Sequence, residues 1–410
     1  MTKSTVTPTI LHICLSPGWG GLEMYPIRVG KEFLDLGNNV YGLCIAGSQV
    51  AKGMREAGVE TFEVSSKQAL ILSQIPKLNK WLKQRNVNIV HCHKSGDILI
   101  SALLSLLTQR ATFFTEHMGV TRPKTDLYHK WAYSHIDQVF SISDETYQRN
   151  LKALPIPAEK ITRFWLGTDI PATPIESADE ILAIKQELGL NAESKIIGNV
   201  GRLCSGKGQM ELLEAFALIS DTHPNSELLL VGGLDVADGS DNNFVSQLKE
   251  RIEALKLTHR VHLAGFRQDT NRMLAVMDIV CLPNHNEAFG LTAIEAMAAK
   301  KAIVGANTGA LPEILEPVAL LCNPLAPSEI AAQIVAYLDN VGLQKKNEDL
   351  AYLRAKTEFS MPAHIDKLRQ FYLNKLSHCG NESVSFKYSL RNKLRVSKGN
   401  SVDIADTAKV

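Results

Sequence analysis

Two short stretches carry charges at spacings that suit one anionic, hydroxyl-rich ligand. In Gly201-Arg-Leu-Cys-Ser-Gly-Lys-Gly208, Arg202 and Lys207 bracket a glycine-containing loop between an apolar run and a helix. Arginine can grip a phosphate with two parallel donors, and lysine acts as a point charge. The pair therefore suits a diphosphate. The second stretch is Asn284-His-Asn-Glu-Ala-Phe-Gly-Leu-Thr-Ala-Ile-Glu-Ala-Met297. Glu287 falls in a loop and Glu295 inside the following helix. Gly290 lets the backbone approach a ligand, and the N–H groups at a helix start suit an anion. Two carboxylates beside a phosphate seat can accept bonds from sugar hydroxyls.

Three further stretches sit at the carboxyl ends of strand-like runs. In Pro17-Gly-Trp-Gly-Gly-Leu-Glu23 the glycines are expected to turn tightly and approach a ligand. The spacing is not G-x-G-x-x-G, and Cys44–Gly47 lacks the acid that binds a ribose, so a nicotinamide cofactor is disfavoured. His91 and His93 flank Cys92, and His117 follows Thr115-Glu116. Their spacing alone is compatible with metal ligation, but no helical carboxylate–histidine pattern supports zinc. They can equally serve as core residues or line a polar site. In Asn307-Thr-Gly-Ala-Leu-Pro-Glu-Ile314, Gly309 and Pro312 shape a turn whose N–H groups could meet the same ligand, and Glu313 opens a short helix as a favourable first-turn charge. The loop at 201–208 is not a P-loop, because Gly208 stands where Ser or Thr is required.

The elements that must position these residues are legible as alternating apolar runs and helical periods. Strands are expected at 9–16, 39–46, 59–64, 87–91, 111–115, 138–141 and 161–166, most followed by a helix. Residues 167–177, with Pro171 and Pro174, read as a linker. The alternation restarts at 195–200 and continues through strands at 227–232, 260–264, 278–282 and 302–305. Such alternation predicts an α/β protein with two doubly wound parallel sheets, Rossmann-like, facing a central cleft. The expected division is 1–170 for an acceptor-binding domain, 171–361 for a nucleotide-sugar-binding domain, and a helix at 362–376 packing back toward the first. Residues 377–410 carry Lys387, Arg391, Lys393, Arg395 and Lys398. They read as a disordered tail or as an electrostatic contact with an anionic inner-membrane surface.

The bulk numbers bound these readings. A chain of 410 residues has material for two cores. A formal net charge of +1 gives no case for nucleic-acid binding. Seven scattered cysteines with no CxxC pair fit a reducing cytoplasm. No apolar run reaches the roughly twenty residues of a membrane span, and the N-terminus lacks an apolar leader core.

Taken together, Gly20-Gly-Leu-Glu23, His93, Thr115-Glu-His117, Gly201-Arg-Leu, Lys207-Gly208, Glu287-Ala-Phe-Gly, Glu295 and Gly309-Ala-Leu-Pro-Glu313 resemble the retaining glycosyltransferases of family 4, the glycosyl transferases group 1, of GT-B architecture. The resemblance spans roughly residues 9 to 376. It implies that Arg202 and Lys207 hold the donor diphosphate and that Glu287 touches sugar hydroxyls. Phe289, Gly290 and Leu291 would offer backbone N–H groups, and Glu295 would bind the ribose. Gly20 and Gly21 would line the phosphate side, His117 would lie near the anomeric carbon and the acceptor, and Glu23, His93, Thr308 and Gly309 would line the acceptor side or the cleft. No cofactor or metal is expected, the nucleotide sugar being a co-substrate. The implied activity is hexosyl transfer to a glycan or glycolipid of a lipopolysaccharide or capsule, in the cytoplasm. Two other readings remain open at this point: a sugar-nucleotide epimerase of similar architecture, and a sugar-nucleotide-binding protein without catalysis.

Overall fold

The computed structural model describes residues 7–120, 122–175 and 177–377. Strands and helices alternate through them. In chain order they are β1 (Thr9–Cys14), α1 (Gly21–Asp35), β2 (Asn39–Ile45), α2 (Gln49–Glu56), β3 (Glu60–Val64), α3 (Lys67–Ala69), α4 (Ile75–Gln84), β4 (Ile89–Cys92), α5 (Ile98–Leu107), β5 (Ala111–Glu116) and α6 (Leu127–Ser134). Then follow β6 (Gln138–Ser141), α7 (Asp144–Ala153), β7 (Ile161–Arg163), α8 (Ala178–Glu187), β8 (Lys195–Val200), α9 (Gln209–Ile219), β9 (Ser226–Val231), α10 (Asn242–Ala254), β10 (Val261–Leu263) and α11 (Thr270–Val276). The remaining elements are β11 (Ile279–Leu282), α12 (Leu291–Ala298), β12 (Ala302–Ala306), α13 (Leu311–Leu315), β13 (Leu320–Cys322), α14 (Pro327–Leu338) and α15 (Val341–Glu358). Residues 361–377 form a last helix, α16.

The described residues divide into two compact units, one from residues 7–114, 132–137 and 366–377, the other from the described residues of 115–131 and 138–365. In the first, the strands run in the parallel order β3-β2-β1-β4-β5. All six residues of β1 and all four of β4 are buried, as expected of strands covered on both faces. Tyr372, from α16, packs in this core against Phe33, Phe113 and His91.

In the second unit the parallel order is β10-β9-β8-β11-β12-β13. The order reverses between β8 and β11, which pair at Ile279↔Ile197 and Val280↔Gly198. Such a reversal opens a crevice beyond the carboxyl ends of the two strands, where open α/β sheets bind ligands. The core below it is apolar, with Ile197, Leu228, Ile279 and Val304 fully buried between the helices. In the first unit the corresponding reversal lies between β1 and β4, which pair at His12↔His91.

Some elements departed from expectation. The helical stretch α3–α4, with a π-turn at Leu70–Gln74 between its halves, was not anticipated. Nor was α15, although it has eighteen residues. It buries Asn347, Ala351 and Ala355, small or polar residues that leave no apolar stripe to read. The basic segment expected at the C-terminus lies, beyond Ser377, outside the described residues. Among the described residues no helix is long and apolar enough to cross a membrane.

Candidate functional site

The loops that leave β8 and β11 meet at the reversal of the second sheet. The β8–α9 loop carries Arg202 and Lys207, and the β11–α12 loop carries Glu287. Lys207 Nζ donates to Glu287 Oε2 at 2.8 Å, and Asn284 Nδ2 donates to the same oxygen at 2.7 Å. The ion pair is partly exposed, at 29% and 21% for the two side chains. A pair of that exposure contributes at most about 1 kcal/mol. An arriving phosphate can therefore draw Lys207 from Glu287 at little cost.

Backbone fit explains how the two loops come so close. A Cβ on Gly208 would lie 2.1 Å from the Pro283 carbonyl oxygen, so only glycine fits there. Gly208 also takes φ 79° as the cap of α9. His285 N–H donates to Gly206 O at 3.0 Å, a second tie between the loops. Beneath them lies a buried amide pair. Gln209 Nε2 donates to Asn199 Oδ1 at 3.2 Å and to Arg202 O at 3.0 Å, while Asn199 Nδ2 donates to Cys281 O at 2.8 Å. These amides hold the Arg202 backbone in place, yet the Arg202 side chain is exposed. Neither Asn199 nor Gln209 was singled out from sequence. An amide at a strand end or helix start has no distinctive spacing.

The third loop completes this side. A Cβ on Gly309 would lie 2.6 Å from Glu287 O and 2.7 Å from Glu287 N. Ala310 N–H donates to Glu287 O at 2.8 Å. Thr308 Oγ1 donates to His285 O at 3.0 Å. The turn at 308–310 is thus pressed against the main chain that carries Glu287. Gly290 caps α12, Leu291 opens it, and Glu295 stands partly exposed one turn in. Phe289 is buried, its ring edge-on to Phe359.

The first unit holds its own cluster beyond β1 and β4. Ser16 Oγ donates to Glu23 Oε1 at 2.6 Å and accepts from Gly18 N–H at 3.2 Å and Lys94 Nζ at 3.1 Å. Leu15 N–H donates to Asp97 Oδ2 at 3.1 Å. Burial pushes the Asp97 carboxyl up to about 6. Glu23 lies in the first turn of α1, bonded to Ser16, and Ser16, Lys94 and Asp97 were not singled out from sequence. Gly20 and Gly21 stand at the start of α1. Gly20 has φ 177°, extended backbone open to any residue, so tight turning is not its reason for being glycine. A Cβ there would meet Glu23 Oε2 at 3.5 Å, an ordinary contact.

The histidines are inside. His93 is 1% exposed, and His12 and His91 are fully buried. Alternation along β4 puts His91 and His93 on one face, and His12 pairs beside them on β1. His12 Nδ1 and His93 Nε2 lie 2.9 Å apart, and His91 Nδ1 is 2.6 Å from the Tyr372 hydroxyl. His93, expected at the acceptor side or the cleft, is buried, its ring packed against Tyr25. The three ring nitrogens lie within 4.8 Å of one another, a spacing compatible with metal ligation, but the hydrogen bond between His12 and His93 accounts for their approach. His117 is 5% exposed at the end of β5. Burial, with the charge of His364, lowers it to about 3, so its imidazole is neutral at physiological pH.

Two doubly wound sheets, with the cationic loop and the glutamate stretch at the reversal of the second, define a glycosyltransferase of two-domain α/β type. The chain matches the family described as Glycosyltransferase Family 4 over residues 19–170 and that described as Glycosyl transferases group 1 over residues 180–354. It belongs to the family 4, group 1 glycosyltransferases. The N-acetyl-alpha-D-glucosaminyl L-malate synthase of Bacillus anthracis is 22% identical over 386 residues, covering 89% of this chain and 97% of its own. Other curated relatives match over shorter stretches, at 31% and 25% of their own length. A glycosyltransferase from Rickettsia africae superposes with TM-score 0.81 at 24% identity, covering 90% of this chain and 99% of that one. Anabaena Alr3699/HepE, solved with UDP-glucose, superposes with TM-score 0.72 at 22% identity over 90% of this chain and 99% of its own. The fold is accordingly GT-B.

Proposed function

We propose that the chain is a retaining hexosyltransferase, moving a sugar from a nucleotide-diphosphate donor to a hydroxyl of a glycan or glycolipid acceptor. The observation that carries this reading is the Lys207–Glu287 pair at the sheet reversal, with Arg202 on the same loop. The pair sets a cation beside a carboxylate, as a sugar diphosphate needs. Arg202 and Lys207 meet the charge that grows on the departing diphosphate, an electrostatic role of the oxyanion type. The bond from C1 of the sugar to the phosphate oxygen breaks, and a bond from C1 to the acceptor oxygen forms on the same face. The acceptor proton passes to the leaving phosphate oxygen. Glu287 orients sugar hydroxyls, Glu295 holds the ribose, and neither is the nucleophile. The backbone N–H groups from Phe289 to Leu291 complete the donor seat. Neutral His117, near C1, can offer a hydrogen bond without competing for the anion. No divalent metal is required, because the two cations supply the charge.

HepE was solved with UDP-glucose, and that supports UDP-sugars as the first donors to try. The Bacillus anthracis relative is by name an N-acetyl-alpha-D-glucosaminyl L-malate synthase. The acceptor proposed for this chain is part of a bacterial surface glycan such as a lipopolysaccharide core or capsule, built in the cytoplasm at the inner-membrane surface. A thermal-shift screen against UDP-, GDP-, ADP- and CMP-sugars tests the donor. Stabilisation grows with ligand concentration over affinity, so one nucleotide class should stand out and keep its effect in EDTA. No shift with any of them would count against the reading. Donor isomerised without acceptor would favour an epimerase.

A further inference from the structure

One carboxylate in the donor region contacts none of the groups assigned to the ligand. Glu313, in the first turn of α13, has its side chain turned away from the Gly309 turn. Its Oε1 accepts the Asp144 N–H at 2.7 Å, at the N-terminus of α7. Its Oε2 accepts Trp165 Nε1–H at 3.2 Å. Trp165 is itself fixed, with the Arg163 guanidinium 4.0 Å and the Arg354 guanidinium 5.6 Å from its ring centre. Arg354 also donates to Glu313 O at 2.8 Å and Ile314 O at 2.9 Å, satisfying carbonyls that a five-residue helix cannot satisfy alone. These partners come from the start of α7, from Trp165 just after β7, and from α15. On its other side the same helix is preceded by Gly309 and Ala310, which bear on the Glu287 main chain.

We propose that Glu313 is a positioning residue for the donor site: by tying α13 to the start of α7 and to Trp165, it holds the 308–310 turn against Glu287 and so sets the Lys207–Glu287 pair. The reasoning rests on the donor role of that pair, but the brace itself is a matter of geometry. The charged and titratable groups that face Glu313 are Asp144 on α7, Arg163 on β7, which pairs with Asp144 at 3.1 Å, and Arg354 on α15. Glutamine at this position keeps the shape. Its amide has one accepting oxygen, so it can serve Asp144 or Trp165 but offers an N–H toward the other donor.

The test pairs hydrogen exchange with kinetics on the full chain, using Glu313→Gln and Glu313→Ala. Exchange at Ala310 should speed up about tenfold in the alanine variant, with β12 unchanged and the unfolding midpoint within about 2 °C. Turnover with the donor found by the screen should fall about tenfold or more, the glutamine variant lying between. In a Lys207→Ala background the same change should cost little further, because both act through one element. Unaltered exchange at Ala310 would overturn the brace. Faster exchange with full turnover, or a fully additive loss beside Lys207→Ala, would overturn the positioning role. In a protein that transfers no sugar, the exchange arm still decides whether Glu313 holds the turn, so the two failures separate.

Discussion

In the proposed mechanism, Lys207 carries most of the chemistry. Its partner Glu287 accepts a second bond, from Asn284, so the carboxylate stays hydrogen-bonded when the lysine turns to phosphate. If Lys207 stabilises the departing diphosphate as proposed, replacing it by alanine should lower turnover on the order of 10²-fold or more. Initial rates at saturating donor check it, and near-normal turnover would refute the phosphate role. Glu295→Ala should instead weaken nucleotide binding, seen by calorimetry as a higher Kd with the free nucleoside diphosphate. Lys207 was legible because it stands in a glycine-containing loop after a strand, and Glu295 because it lies inside the helix that follows Glu287. What was not legible is how they are held. Glu313 meets Asp144 and Trp165 across 169 and 148 positions of sequence, and no spacing rule reaches that far. Ser16 and Lys94 meet across 78, for the same reason.

At the scale of elements, the site depends on close main-chain approach and on one half-buried carboxyl. Gly309→Ala would push a methyl group into the Glu287 backbone and strain a residue at φ +62°. It should destabilise by about 1–3 kcal/mol and loosen the Glu287 loop. Urea denaturation would measure the loss. Glu313 titrates abnormally. Burial, with the Asp144 carboxyl beside it, lifts it from the usual 4.5 to about 7 despite two N–H bonds. The folded protein therefore holds this proton more tightly than the unfolded chain does. The contribution is present in full below about pH 4.5 and is lost as pH rises through about 7. Wild type minus Glu313→Gln stability should decline by about 1–2 kcal/mol across that window, after allowance for solvent screening. A flat difference would show that the carboxyl titrates normally. The strands and most helices could be read from apolar runs and periodicity. The helix α15 could not, because it packs through alanines and an asparagine rather than through an apolar stripe.

At the scale of the molecule, each unit carries its polar groups beyond the strands where its sheet order reverses. In the first these are Ser16, Glu23, Lys94 and Asp97, and in the second Arg202, Lys207 and Glu287. Order reversal is a property of topology, which a single sequence conveys only through alternation and handedness rules. The family resemblance supplied the roles; the fold supplies the reason that loops after β8 and β11, about eighty residues apart, act as one site. The measurement that tests the account most directly is proton NMR of the anomeric centre during turnover of an α-linked nucleotide sugar with an acceptor. The account predicts an α-linked product, with one nucleoside diphosphate released per glycoside formed. A β-linked product, or donor consumed without any glycoside, would contradict it.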